Sequence, residues 1–279
     1  MTIDFQRLRK RLLPEMLKSF VSVADKKKCP FAIILAGHNG SGKSTMWHTY
    51  LSEVLQVPLI NADRMMLSIL PEASHENPLP KWAVQIRDKH ENWMKVAQKG
   101  VEIFVAQAME KKISFAMETV FSYWKVDPET GKIESKIDTI RQLQKTGYYV
   151  ILLFVGLKDS DLSIGRVRTR ISDPKTPGHD VPDEKLIERF PRTQKAIRNA
   201  VTVADVSILV DNSRMREDAF TICRIQEKKN VYYDLRLHES PLPEEIEIWL
   251  SKVCPDYPSE DHLSKLRSSL IPNRRPTLA

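Results

Sequence analysis

The run Gly37-His38-Asn39-Gly40-Ser41-Gly42-Lys43-Ser44-Thr45 spaces its residues as a phosphate-handling loop needs them, Gly-x4-Gly-Lys-Ser, directly after the apolar stretch Phe31 to Ala36. Gly37, Gly40 and Gly42 can take positive-φ conformations in which consecutive backbone N–H groups converge on phosphate oxygens, where a Cβ would hold the anion away. All nine residues are therefore nucleotide-binding candidates. Lys43 is long enough to meet β and γ phosphates as a point charge, and the Ser44 hydroxyl is the candidate Mg2+ ligand. A helix from about Lys43 to Val54 would aim its positive end at the same phosphates. The competing reading is an ordinary Gly/Ser/Asn turn carrying a lysine, and it leaves the buried strand in front unexplained. Nucleoside triphosphate binding is the expectation.

In a parallel sheet, ligands gather at the carboxyl ends of the strands, so the polar residues after each apolar run come next. Asn61-Ala62-Asp63-Arg64 follow Val57 to Ile60, Glu118-Thr119 follow Ile113 to Met117, and Asp211-Asn212-Ser213 follow Val206 to Val210. A kinase acting on a hydroxyl needs a carboxylate to take its proton during attack. Asp63 suits that role, and suits equally the N-cap of a helix starting near Arg64. Glu118 reads as a holder of substrate hydroxyls, as a water-mediated partner of Mg2+, or as a strand-end surface charge.

Arg166, Arg168 and Arg170 fall within five residues, and Arg166 and Arg170 stand one helical turn apart. Their repulsion, a few tenths of a kcal/mol, would reverse with an anion between them; the alternative is a solvated basic helix face. Asp173 to Gly178 reads as a flexible lid or loop ahead of His179-Asp180-Val181-Pro182 and a helix from Asp183 to Asn199. His179 has no partner at metal-binding spacing, which favours a structural role. Arg189 and Arg192 on that helix face either phosphates or solvent. Trp82 and Trp93 read as core or inter-helix packing.

Positioning these groups falls to five apolar runs, at 31–36, 57–60, 113–117, 148–155 and 206–210, alternating with helical stretches such as Trp82 to Lys112 and Ile137 to Thr146, the latter closed by Gly147. That alternation predicts an α/β fold of the P-loop NTPase type, a mostly parallel sheet of five or more strands sandwiched by helices. Residues 3–24 carry a helical period interrupted by Pro14, which predicts an N-terminal helix pair. Beyond Asp211, Phe220 to Ile225 and Val231 to Leu235 flank an Asn-containing turn at 226–230, the pattern of a β-hairpin. A short helix from Pro243 to Val253 and a Pro- and Arg-rich tail, expected to be disordered, complete the chain. The chain thus divides into a helical extension at 1–28, a core at 29–215, a hairpin-and-helix appendage at 216–270 and a tail at 271–279.

The three cysteines, Cys29, Cys223 and Cys254, form no C-x-x-C pair, which argues against a disulfide framework or a zinc site and for a reducing cytosol. No apolar stretch approaches the ~20 residues that span a bilayer, so a soluble cytoplasmic protein is expected. The net charge of +7 suits a phosphate cleft or nucleic acid. No basic segment interleaved with aromatics is present, which makes nucleic acid the weaker reading.

As an ordered set, the loop, Asn61-Ala62-Asp63-Arg64, Glu118-Thr119-Val120, Gly147-Tyr148, Arg166, Gly178-His179-Asp180-Val181-Pro182 and Asp211-Asn212-Ser213 resemble the zeta-toxin family of P-loop kinases over roughly residues 30–215, and the later hairpin resembles that family's broader branch. The resemblance implies a kinase that moves the γ-phosphoryl group of ATP or GTP, with Mg2+, to a hydroxyl of UDP-N-acetylglucosamine or a related UDP-sugar. A small antitoxin protein is the implied partner. Lys43 and Ser44 would then bind phosphate and Mg2+, Asp63 would be the base, Glu118 with Thr119 and Arg64 would hold the acceptor, Asn212 would touch the nucleotide, and Arg166 with Arg170 would clamp the γ-phosphate. The spacing from Arg170 to His179 differs from the toxins' pattern, which leaves Arg168 and Arg189 as substitutes. A plant-pathogen effector relative resembles a kinase of NAD, so a dinucleotide acceptor is the alternative. A nucleotide-switched ATPase and a polynucleotide kinase are the readings from other classes.

Overall fold

A computed structural model of the chain describes residues 13–72, 77–89, 91–172, 180–215 and 217–256. Helix α1 is described over Leu13–Lys26, and the residues before Leu13 that would form the earlier half of the expected pair lie outside the described residues. α1 buries Leu13, Met16, Leu17 and Ala24, about 1.5–3 kcal/mol for each large aliphatic side chain taken fully from water.

The seven residues of β1 (Phe31–Gly37) are all buried. After the phosphate loop, α2 (Lys43–Met46) runs through a π-turn at Trp47–Leu51 into α3 (Ser52–Leu55). There follow β2 (Leu59–Ile60), α4 (Ala62–Leu67), α5 (Lys81–Lys89), α6 (Glu91–Lys111), β3 (Phe115–Thr119), β4 (Trp124–Val126), β5 (Ile133–Ser135) and α7 (Ile137–Lys145). Then come β6 (Tyr149–Gly156), α8 (Ser160–Ser172), α9 (Asp183–Ala200), β7 (Val206–Asp211), β8 (Thr221–Glu227), β9 (Asn230–Asp234) and α10 (Glu244–Val253).

Seven strands form one sheet in the order β2-β3-β1-β6-β7-β8-β9. The first five pair in parallel, as the doubly apolar runs predict, and β8 and β9 add on antiparallel. The chain leaves β1 toward β2 and β3 on one side and later toward β6 and β7 on the other, so the end of β1 is the topological switch point, where ligands bind in open α/β sheets. Register sets the neighbouring strand ends level with it. Glu118 lies opposite Leu35, Thr119 opposite Ala36, Val155 opposite Gly37, and Asp211 opposite Gly156.

Several expectations need correction. The hairpin is no separate appendage in its packing: β8 pairs with β7, and Ile222, Cys223, Trp249 and Leu250 share one buried cluster with β1 and β6. Its turn is tighter than expected, because β8 runs on to Glu227 and β9 starts at Asn230. The stretch Trp82 to Lys112 is helical on both sides of residue 90, as α5 and α6, but its tryptophans are not core: Trp82 is 53% and Trp93 43% exposed. α6 meets α4 through small residues instead. Ala97 is buried there, and a Cβ on Gly100 would come within 2.5 Å of Met65 Cε. The β4–β5 ribbon was not foreseen. Residues 173–179, including His179, and the tail from 257 lie outside the described residues. None of the described helices is long and apolar enough to cross a membrane.

Candidate active site

The loop after β1 folds as its glycines require. Gly40 and Gly42 sit at φ 68° and 87°, and a Cβ on Gly42 would lie 2.5 Å from Asn212 Nδ2. That Asn212 amide donates to Ser41 O at 2.9 Å, so the residue after β7 is built into the loop. From the other side, Ser163 Oγ on α8 donates to Asn39 O at 2.7 Å. Lys43 is buried, and its Nζ donates to Gly37 O and His38 O at 3.0 and 2.8 Å. Burial presses its pKa down and Arg170 adds to that, while Glu118 and Asp63 oppose it. Lys43 is thus within electrostatic reach of three of the candidate residues. Thr45 is exposed on the first turn of α2.

His38 is the loop residue whose surroundings the sequence did not reveal. Its ring stacks on Phe190 of α9 with centroids 3.8 Å apart at 10°, and stands edge-on to Phe154 of β6 at 5.9 Å. Its Nε2 is buried without a hydrogen-bond partner among the described residues. Desolvation, with the Lys43 charge second, pulls its pKa down to about 3, so the ring is neutral at physiological pH.

Ser44 Oγ donates to the Glu118 carboxylate, 3.0 Å from each oxygen, and Asn61 Nδ2 donates to Glu118 Oε2 at 2.7 Å. Glu118 therefore meets the hydroxyl assigned to Mg2+, and it is not a loose strand-end charge. An all-oxygen pair of this kind suits Mg2+. The described residues contain no group of three or more His, Cys, Asp or Glu side chains placed to hold a metal, so phosphate oxygens and water would supply the remaining ligands.

The two readings of Asp63 also separate. Asn61 is the N-cap of α4: its Oδ1 accepts from Asp63 N at 2.7 Å and from Arg64 N at 3.2 Å. With the cap supplied by Asn61, the Asp63 carboxylate is spared that task, and it acts electrostatically on both Lys43 and Arg189. Arg64 Nη1 lies 3.2 Å from His48 Nε2. The Thr119 hydroxyl accepts from Phe121 N at 3.2 Å, bracing a turn in which Phe121 holds φ 63°. Thr193 Oγ1 of α9 donates to Val120 O at 3.3 Å and ties the same turn to that helix.

The arginines divide by direction. Arg166 Nη1 donates to Asn212 O at 2.7 Å, which holds it against the residue built into the loop. Arg170 acts on Lys43, and its Nε and Nη2 are buried without a hydrogen-bond partner among the described residues. Arg168 is committed elsewhere, at 2.6 Å from both Asp180 and Asp183. Arg189 is half-buried; burial lowers its pKa first and neighbouring Arg192 second, while Glu188 and Asp63 act in the opposite direction. Below Asn212, Asp211 is fully buried and accepts from Trp249 Nε1 at 2.8 Å and Ser213 Oγ at 2.7 Å. Desolvation raises its pKa. Trp249 is remote in sequence, and no local pattern marks it as a support of this loop.

Chemically, the loop carries the Lys43 ammonium next to a hydroxyl–carboxylate pair, Ser44 with Glu118, and Asp63 and Arg170 lie within electrostatic reach of Lys43. A sequence profile described as Zeta toxin matches residues 18–234. An uncharacterized protein of Haemophilus influenzae is 24% identical over 159 residues, 57% of this chain and 91% of that protein. Among solved structures, the AvrRxo1-ORF1:AvrRxo1-ORF2 complex with sulphate ions is similar at TM-score 0.52 and 13% identity, covering 93% of this chain and 82% of that one. The same pair with ATP gives TM-score 0.50 at 13% identity, covering 84% and 72%.

Proposed function

The chain belongs to the zeta-toxin family, and from that premise we propose that it is a kinase that transfers the γ-phosphoryl group of ATP or GTP to a hydroxyl of a nucleotide-linked metabolite, with UDP-N-acetylglucosamine or a related UDP-sugar as the leading acceptor. The observation that carries this reading is the separation of Asn61 from Asp63: Asn61 caps the helix, and the Asp63 carboxylate is within electrostatic reach of Lys43 and Arg189. A switch ATPase needs a carboxylate next to the metal, which Glu118 would be; a second one, past the metal and facing the transferring phosphoryl, is what an acceptor hydroxyl needs.

In this reading Lys43 and the loop amides hold the β and γ phosphates, and Ser44 with Glu118 holds Mg2+, which offsets phosphate charge when bound. Arg170 and Arg189 brace the transferring group from above, with Arg170 supplying Nε and Nη2 groups that have no hydrogen-bond partner among the described residues. Arg166 and Asn212 serve the nucleoside end. Asp63 takes the acceptor's proton as its oxygen attacks phosphorus. Arg64 and the turn at Thr119 flank the acceptor. A small antitoxin that shields the nucleotide fits the same reading, as AvrRxo1-ORF1 is paired with ORF2, and ATP in that complex accords with ATP as donor. A cytoplasmic setting would supply both substrates, and all three thiols are free.

The test is Asp63→Asn. Transfer to a panel of sugar nucleotides and dinucleotides should fall at least about a hundredfold while ATP affinity stays within a few-fold of the unaltered protein. Equal loss of both would make Asp63 a structural or metal-holding group.

A further inference from the structure

We infer that Trp249 of α10 is a positioning residue for the phosphate loop, acting through Asp211 and Asn212; this rests on the nucleotide-binding half of the kinase reading above. Asn212 grips the loop directly, because its Nδ2 donates to Ser41 O at 2.9 Å. A trans peptide sets its N–H opposite its C=O, so this hold on Ser41 O turns the Gly42 N–H away from Asn212. A nest of N–H groups takes up phosphate only while its peptide planes keep such a direction. The backbone of Asn212 is fixed in turn: its N–H donates to Gly156 O at 3.1 Å, and its O accepts from Arg166 Nη1 at 2.7 Å.

Asp211 fixes the chain on either side of Asn212. Its fully buried carboxylate accepts from Ser213 Oγ and Trp249 Nε1 on one oxygen, at 2.7 and 2.8 Å, and from Ser213 N on the other, at 3.1 Å. Arg214 Nε stands 3.8 Å away, too far for a hydrogen bond. Burying a carboxylate on these terms costs desolvation that an apolar side chain would avoid, so its value lies in the donors it holds in place. Trp249 adds a second contact, because its ring lies against the Gly156 backbone, where a Cβ would come within 2.6 Å of Trp249 Cε2. Gly156 is also the residue that receives the Asn212 N–H. The far end of α10 is clamped: Arg236 Nη1 donates to Cys254 O at 2.8 Å, and the same guanidinium is held by Asp234 at 2.6 Å. A path of direct contacts, Trp249 to Asp211, then Asn212, then Ser41, thus runs from a helix beyond the parallel strands to the loop.

The experiment measures the Kd of N-methylanthraniloyl ATP, with Mg2+, for the full-length protein by fluorescence anisotropy. Trp249→Phe keeps an aromatic ring on Gly156 but has no N–H, and should raise Kd about 5–10-fold, the value of one exchanged hydrogen bond. Asn212→Ala should weaken binding at least as much, and Trp249→Phe added to it should change Kd by less than about twofold, because the path is already cut. Val253→Ala, a core truncation on the same helix, should lower the melting temperature yet leave Kd within about twofold. Ser213→Ala removes the other side-chain donor from Asp211 and should raise Kd at least about twofold; it decides the matter if Trp249→Phe does not fold. Trp249→Phe binding within twofold of the unaltered protein, or weakening by the same factor with and without Asn212, would overturn the assignment while leaving the kinase reading intact. Failure of the unaltered protein to bind the analogue at all would overturn both.

Discussion

The buried His38 ring makes a quantitative prediction about acid. In the unfolded chain the imidazole takes a proton near its ordinary 6.5, whereas in the folded loop it does so only at about 3. A group whose folded pKa is lowered leaves the unfolded state binding more protons between the two values, so stability is full above about pH 7 and falls as the pH drops from 6.5 toward 3. At pH 4.5, two units below the unfolded value, the loss is about 2.7 kcal/mol at roughly 1.36 kcal/mol per unit. His38→Phe keeps an aromatic ring against Phe190 and Phe154 but has no proton to take up. Urea unfolding of both proteins at about pH 7 and pH 4.5 isolates the residue, because every other titrating group is common to the two. The difference in unfolding free energy should shift by about 2–3 kcal/mol in favour of the phenylalanine variant on acidification. Parallel pH profiles would refute the reasoning and mean that water or a rearranged loop reaches the ring.

Other consequences follow from single residues. Arg170→Ala should cut phosphoryl transfer at least about a hundredfold, whereas Arg168→Ala, which breaks its pairs with Asp180 and Asp183, should change it only a few-fold; steady-state kinetics of the two variants separates them. Asn61→Ala removes both the α4 cap and a hydrogen bond to Glu118, so it should lower stability by about 1 kcal/mol, roughly 2–4 °C in melting temperature, and reduce transfer more than that loss explains. Thermal melts and initial rates measured on the same preparation check both parts.

The loop and its sheet were legible because their signals are local. Phe31 to Ala36 and Tyr149 to Val155 are apolar without interruption, which in an alternating chain means a strand covered on both faces. Choices between near-equivalent residues were not legible. Asn61 and Asp63 are both good caps two positions apart, and only the backbone at Asn61, extended at φ −146° and ψ 127°, decides between them. Arg166 and Arg170 share a helix face, yet one reaches back to Asn212 O and the other toward Lys43. The Trp82 and Trp93 reading failed because side-chain size was taken for burial, while the helix seam uses Ala97 and Gly100. The His38–Phe190 stack and the Trp249–Asp211 hydrogen bond join residues far apart in the chain, and no window of sequence contains both partners.

The central claim is transfer to a small-molecule hydroxyl, and the mass of the product tests it most directly. Purified protein with Mg-ATP is incubated with a small-molecule extract, and mass spectrometry compares it with the Lys43→Ala variant. The account predicts one nucleotide-linked metabolite heavier by a single phosphate, absent with the variant, with a UDP-sugar as the expected species and a nicotinamide dinucleotide as the alternative acceptor. Release of inorganic phosphate with no phosphorylated metabolite, or phosphate found only on added oligonucleotide ends, would contradict it.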